Sequence, residues 1–408
     1  MHLVMKLNLI LIYASTCSFY MISISLTNNM NGGLFIMLIF LDSSIFCSDF
    51  HLSSTNFELL KSYVTKGGNR LCLSEIVIDE VKNKYREKIT AQLQKVNSEI
   101  RDLNKIMYVE TQIINEECIK DEVKRYEEFW NMLPFEFGYG SSEQYPAISH
   151  RNVVQRALER KKPFKEDGKD GYRDYLIWIT FLNAVSHSKT EEACFITLNS
   201  RDFSDPKNKN DLHIQLKKDL ESTGINLDMI HYYTSLKEFV EERVKPSLHV
   251  ITLHEELVEK LKADEQGFMQ PLEDEMINKV IGADLNKFDI VFIEPSENPT
   301  IVSIDEVSEM EIEDVSEMSK TDILLNIRAS ALANISFCIL KSDYNVMEDR
   351  SQMFILDNNW KNRYVLAETP MELIISMEVI FDIEGKKIKS IDVEDIEDAF
   401  ADCPYCPY

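Results

Sequence analysis

Four carboxylates in this sequence stand where chain geometry can gather them: Asp42, Glu80, Asp174 and Asp202. Asp42 closes the apolar run Met37-Leu38-Ile39-Phe40-Leu41, and Ser43 and Ser44 follow it. A short continuous apolar run ended by polar residues suits a strand buried on both faces, with the aspartate at its carboxyl end. Open α/β sheets bind ligands at that edge. A carboxylate there is poorly solvated and needs a partner, most simply a metal ion. The ordinary alternative is that Asp42 caps the next helix, with Ser43 and Ser44 sharing the role. Glu80 lies one turn after Ile76 on a helix expected to start at Glu75 behind a Ser74 N-cap. It either points back to the sheet edge or pairs with Lys84 on a solvated face.

Asp174 falls in the first turn of a helix, Gly171 to Leu182, that is apolar nearly all round. A lone carboxylate there is unfavourable unless it caps, pairs or binds metal, and Arg173, its neighbour in the chain, cannot face it. A second buried run, Ala193 to Leu198, delivers Asn199 and Asp202 toward an edge. Asn199 offers a neutral amide oxygen, a weaker ligand for a hard ion, so Asp202 is expected to supply the charge while Asn199 orients water or substrate. Otherwise Asp202 caps a helix or pairs with a cation. Clustered carboxylates suit Mg²⁺ or Mn²⁺, and two such ions about 4 Å apart can activate water and stabilise the leaving oxygen of a phosphodiester.

The most basic stretch holds His150, Arg151, Arg156, Arg160, Lys161, Lys162, Lys165, Lys169 and Arg173, in a chain of net charge −25. Such a cluster either contacts nucleic-acid phosphates or complements the C-terminal end of a helix expected over 152–160.

The elements that must position these groups alternate strand and helix from residue 37 to 245, which predicts an α/β domain with a mostly parallel sheet. Residues 81–133 are charged, free of Gly and Pro and apolar at helical spacing, so they read as two long helices inserted into that domain. Such a pair is a solvated face or a clamp for a partner or nucleic acid. Residues 246–325 read as an acidic helical linker region. Residues 326–400, with short alternating runs, read as an α+β module with antiparallel strands, appended for a partner or for regulation.

The 408 residues allow two domains at roughly 150 residues each. The overall acidity is unlike a nonspecific nucleic-acid binder, although much of it lies between Glu255 and Asp322. Residues 1–36 form an uncharged hydrophobic leader after Lys6, expected to be upstream sequence ahead of a start at Met37, with a membrane anchor as the alternative. Cys72 and Cys194 read as buried free thiols, and no disulfide framework is expected. Cys403 and Cys406 would be half of a zinc knuckle that has no second pair.

Taken in order, Phe40-Leu41-Asp42-Ser43-Ser44-Ile45-Phe46, Ser74 to Val81, Gly171 to Trp178 and Thr197 to Phe203 resemble PIN-domain nucleases, in particular the PIN-like group of bacterial toxin and defence proteins. The resemblance covers roughly residues 37–245. It implies a three-layer α/β/α fold and a metal-dependent endoribonuclease using Mg²⁺ or Mn²⁺. The acids it implies are Asp42, Glu80, Asp174 and one in the segment led by Thr197. Many members have Asp two residues after that threonine, where this chain has Asn199, and Thr-Asn where it has Ser43-Ser44. The implied partners are RNA and an antitoxin or regulatory protein, with self-association open, in a cytoplasmic setting. A structure-specific DNA nuclease and a degenerate domain that binds RNA or a partner without cleavage are the competing readings.

Overall fold

The computed structural model describes residues 35–137, 142–188, 190–250, 254–288, 290, 296–347 and 353–400. Four strands, β1 (Phe35–Leu41), β2 (Arg70–Cys72), β3 (Thr190–Ile196) and β4 (Ile230–Tyr233), form one sheet in the order β2-β1-β3-β4. Every pairing in it is parallel. Leu38, Ile39 and Phe40 of β1 are fully shielded, as an unbroken apolar run in a parallel sheet requires. The strand starts at Phe35, two residues ahead of the Met37 expected to open it. The rest of the leader, residues 1–34, and the Cys403–Cys406 segment lie outside the described residues, as do Gly138 and Gly140.

The helices of this unit are α1 (Ser43–Ser48), α2 (Thr55–Gly67), α3 (Glu75–Asn104), α4 (Glu116–Glu136), α5 (His150–Leu158), α6 (Tyr172–His187), α7 (Ser200–Phe203), α8 (Ile214–Ser222) and α9 (Leu236–Phe239). With the sheet they make the α/β/α arrangement expected. Phe40 stacks on Phe195 at 5.7 Å and meets Phe181 edge-on at 5.6 Å, which ties β1 to β3 and α6. Cys72 and Cys194 are buried free thiols within this core. The two long inserted helices are α3 and α4. Tyr85 stacks on Tyr126 at 3.8 Å where they meet the core, and farther out the Asn97 side chain bonds both backbone groups of Ile114.

A second, antiparallel sheet is larger. It contains β5 (His249–Val250), β6 (Ser296–Glu317), β7 (Asp322–Leu340), β8 (Phe354–Trp360), β9 (Tyr364–Asp382) and β10 (Lys387–Asp398), in the order β10-β9-β7-β6-β5 with β8 on β9. Helices α10 (His254–Ala263) and α11 (Gln270–Val280) share its core, and α12 (Lys341–Val346) follows β7. The acidic region expected to be a helical linker up to residue 325 is therefore helical only in its first part. From Ser296 onward it is β6, and Asp322 already opens β7. The physical reason is bulging. Register shifts follow Ile301, Ile304, Val307 and Ile312, and each extra residue stretches the inward repeat from two toward three. Ile301, Ile304, Val307 and Met310 thus recur at a spacing that imitates a helix while all packing on one sheet core.

The two sheets share buried contacts. Met318, Leu324 and Ile380 of the second unit belong to the first unit's core. The Thr55 amide donates to Asp392 Oδ2 at 2.7 Å, and Lys245 pairs with both Glu241 and the buried Glu378.

Candidate active site

The strand order reverses between β1 and β3, because β2 follows β1 on one side and β3 on the other. Loops leaving two such strands diverge and open a crevice at the carboxyl edge. Asp42 leaves β1 and Thr197 to Asn199 leave β3 at that point. The Asp42 amide still continues the ladder, donating to the Ile196 carbonyl at 2.9 Å.

Asp42 is buried and held by hydroxyls. Its Oδ2 accepts from Ser44 Oγ at 2.6 Å and Thr197 Oγ1 at 2.8 Å, and it also caps α1 through the Ser44 amide at 3.4 Å. Asp42 thus caps α1 from the sheet edge, the helix-cap placement set against a metal-ligand role in the sequence. Ser43 Oγ donates to Glu80 Oε2 at 3.0 Å and lies 3.4 Å from Asp42 Oδ1, so one hydroxyl links two acids. Glu80 is turned to this edge rather than to Lys84, which pairs with Glu87 instead. Its other oxygen meets Arg173 at 3.0 Å.

Asn199 joins the remaining two acids. Its Nδ2 donates to Asp174 Oδ1 at 3.2 Å and to Asp202 Oδ2 at 3.0 Å. Asp202, in the single turn α7, is buried, and its Oδ1 has no hydrogen-bond partner. A buried carboxylate oxygen left without a donor is costly and calls for a cation. Lys162 Nζ is 3.9 Å from it but donates to the Arg201 carbonyl at 2.7 Å.

The four acids act on one another. The Asp174 carboxyl is pushed up to about 6, first by burial and then by the charges of Asp42, Asp202 and Glu80. The Cys47 thiol, a neighbour that the motifs above do not include, is raised to about 11 by burial, Glu80 and Asp42. Its place one turn beyond Ser43 on α1 is the available signal in the sequence. The donor set of hard oxygens, mutually repelling and including an orphaned buried one, has the chemistry of a divalent-cation site. Its members do not yet converge: among the described residues, no three His, Cys, Asp or Glu side chains form a metal-holding group.

The basic segment divides. Arg156 was expected to contact phosphate, and the structure commits it elsewhere. It forks onto Asp219 at 3.0 and 2.6 Å, donates through Nε to the Lys162 carbonyl at 2.8 Å and lies 4.7 Å over the Tyr175 ring. Asp219 also accepts from Trp178 Nε1 at 3.0 Å. That partly buried partner lies 63 residues from Arg156, so no local pattern exposes the pair. Lys161 pairs with Glu159 and Lys165 with Asp170 at the surface. Arg151, Arg160 and Arg173 are exposed.

The acids thus gather at the switch point of a parallel α/β/α sheet, the edge where such sheets bind ligands. Residues 39–203 match the PIN-domain family model, which supports placing that segment with the PIN-domain nucleases. This points to nuclease activity, typically metal-dependent in these domains. No curated protein and no solved structure gives a significant match to the chain. No described helix is long and apolar enough to cross a membrane.

Proposed function

We propose that this chain is a metal-dependent endoribonuclease of the toxin or defence type, acting in the cytoplasm. The observation that carries the metal-site part is the coupling of four carboxylates at one sheet edge, three of which raise the Asp174 carboxyl. Asp42, Glu80, Asp174 and Asp202 would hold Mg²⁺ or Mn²⁺. Such an ion lowers the pKa of its water and neutralises charge on the phosphate. The chain's own groups supply position. Ser44 and Thr197 fix Asp42, Ser43 orients Glu80, and Asn199 spans Asp174 and Asp202. Arg151, Arg160, Lys161, Lys165 and Arg173 form a cationic rim for the phosphate backbone.

The choice of RNA rests on the family resemblance. A second reading, cleavage of structured DNA, is favoured by the hairpin of α3 and α4, helices of 30 and 21 residues that can clamp a duplex or flap. Asn199 in place of a carboxylate supports a third reading, binding without cleavage. Incubating the chain with total RNA, single-stranded DNA and a flap DNA, in Mn²⁺ and in EDTA, separates them. RNA fragments formed only in Mn²⁺ support the proposal. Flap cleavage alone supports the second reading, and binding with no product in any metal supports the third.

A further inference from the structure

Both oxygens of Glu80 are engaged, Oε2 by Ser43 Oγ and Oε1 by the Arg173 guanidinium, each at 3.0 Å. The Glu80 side chain is 14 % exposed and that of Arg173 is 60 % exposed. The carboxylate is thus fixed at the crevice, while the guanidinium reaches it from solvent and can leave without disturbing the core. The neighbouring Asp174 points its Oδ1 to the Asn199 amide instead. Arg173 engages Glu80 and Asn199 spans Asp174 and Asp202, and among the described residues no three of the acids form a metal-holding group.

We propose, resting on the nuclease reading above, that Arg173 is a positioning residue that latches Glu80 until nucleic acid arrives. A side-chain cation pairs with a carboxylate or with a phosphate, so a backbone phosphate entering along the basic rim competes directly for Arg173. Once Arg173 has moved to phosphate, Glu80 is free to turn toward Asp42 and Asp174 and complete a cation site. Arg173 and the cation compete for the same carboxylate, so relieving one by substrate strengthens the other. Linkage then makes the effect reciprocal: metal tightens nucleic acid by the factor by which nucleic acid tightens metal. The site is left weak for metal in the free protein and assembled in the complex.

The test is a calorimetric Mn²⁺ titration of the full chain, with and without a phosphorothioate 2′-O-methyl oligonucleotide. It compares wild type, Arg173→Gln, Arg173→Lys and Asp42→Asn. Without oligonucleotide, Arg173→Gln should bind Mn²⁺ about threefold to fivefold more tightly than wild type, the equilibrium equivalent of a partly exposed ion pair. Oligonucleotide should strengthen Mn²⁺ binding in wild type and in Arg173→Lys, and leave Arg173→Gln nearly unchanged. Simple removal of a positive charge raises the first value but leaves that coupling intact, so a persistent coupling in Arg173→Gln overturns the latch. Unchanged Mn²⁺ affinity in Arg173→Gln overturns it as well. If Asp42→Asn binds Mn²⁺ as wild type does, the metal-site reading falls and the latch falls with it.

Discussion

Replacing Asp174 by Asn should stabilise the metal-free protein at neutral pH while removing its activity. The Asp174 carboxyl is raised from 3.8 to about 6 by burial and by Asp42, Asp202 and Glu80. A carboxyl whose native pKa exceeds its unfolded value binds its proton more tightly when folded. Its charge therefore costs nothing below about pH 4, destabilises progressively as pH rises toward about 6, and does so fully above that. About two units at 1.36 kcal/mol each amount to about 3 kcal/mol of destabilisation at pH 8. The Asn variant keeps an Oδ1 able to accept from Asn199 Nδ2, the bond that measures 3.2 Å here. It gives up the attraction between a carboxylate and the first turn of α6, worth about 0.5–1 kcal/mol. The net expectation is a variant more stable than wild type by about 2 kcal/mol at pH 8 in EDTA, and equal to it at pH 4. Urea unfolding from pH 4 to 8 in EDTA reads this directly. Saturating Mn²⁺ should then close the gap by stabilising wild type selectively. A variant that is less stable at pH 8, or a difference that does not change with pH, would refute the like-charge cluster.

Other expectations follow from particular side chains. Arg156→Ala should destabilise by about 3 kcal/mol, since it leaves Asp219 partly buried without its fork, and thermal unfolding measures it. Replacing Arg151, Arg160, Lys161 and Lys165 together by Gln should weaken oligonucleotide binding alike for all sequences. On a single strand, the slope of log affinity against log salt should fall by about 0.7 for each phosphate no longer neutralised, as filter binding at increasing salt would show. Asn199→Asp should raise Mn²⁺ affinity while Asp202→Asn lowers it, measured by the same calorimetry; wild-type behaviour in Asp202→Asn reduces the site to three acids.

What the sequence disclosed depends on how local the physics is. The Met37–Leu41 run announces a strand buried on both faces, and Asp42 at its end follows from counting. The direction of Glu80 does not, because the same spacing suits Lys84 on a solvated face; only the packing of α3 beside Ser43 decides it. Asn199 was legible as a strand-end residue, yet its amide spanning Asp174 and Asp202 depends on the meeting of α6 and α7. Arg156 reads as a phosphate ligand because its partly buried partner Asp219 belongs to the distant α8. In β6, repeated bulges erase the alternation by which strands are recognised, and the acids on its outer positions complete the resemblance to a solvated helix.

The most direct measurement of the metal-site proposal is the initial rate of RNA cleavage in Mn²⁺ by wild type and by Asp42→Asn, with folding of the variant checked by its near-ultraviolet circular dichroism. Loss of a group that merely supports a metal ligand already costs about tenfold to a hundredfold, so loss of the central carboxylate should lower the rate by about a hundredfold or more. EDTA should bring wild type down to the same level. A folded Asp42→Asn protein that cleaves at the wild-type rate would contradict the assignment of this sheet edge as the catalytic metal site.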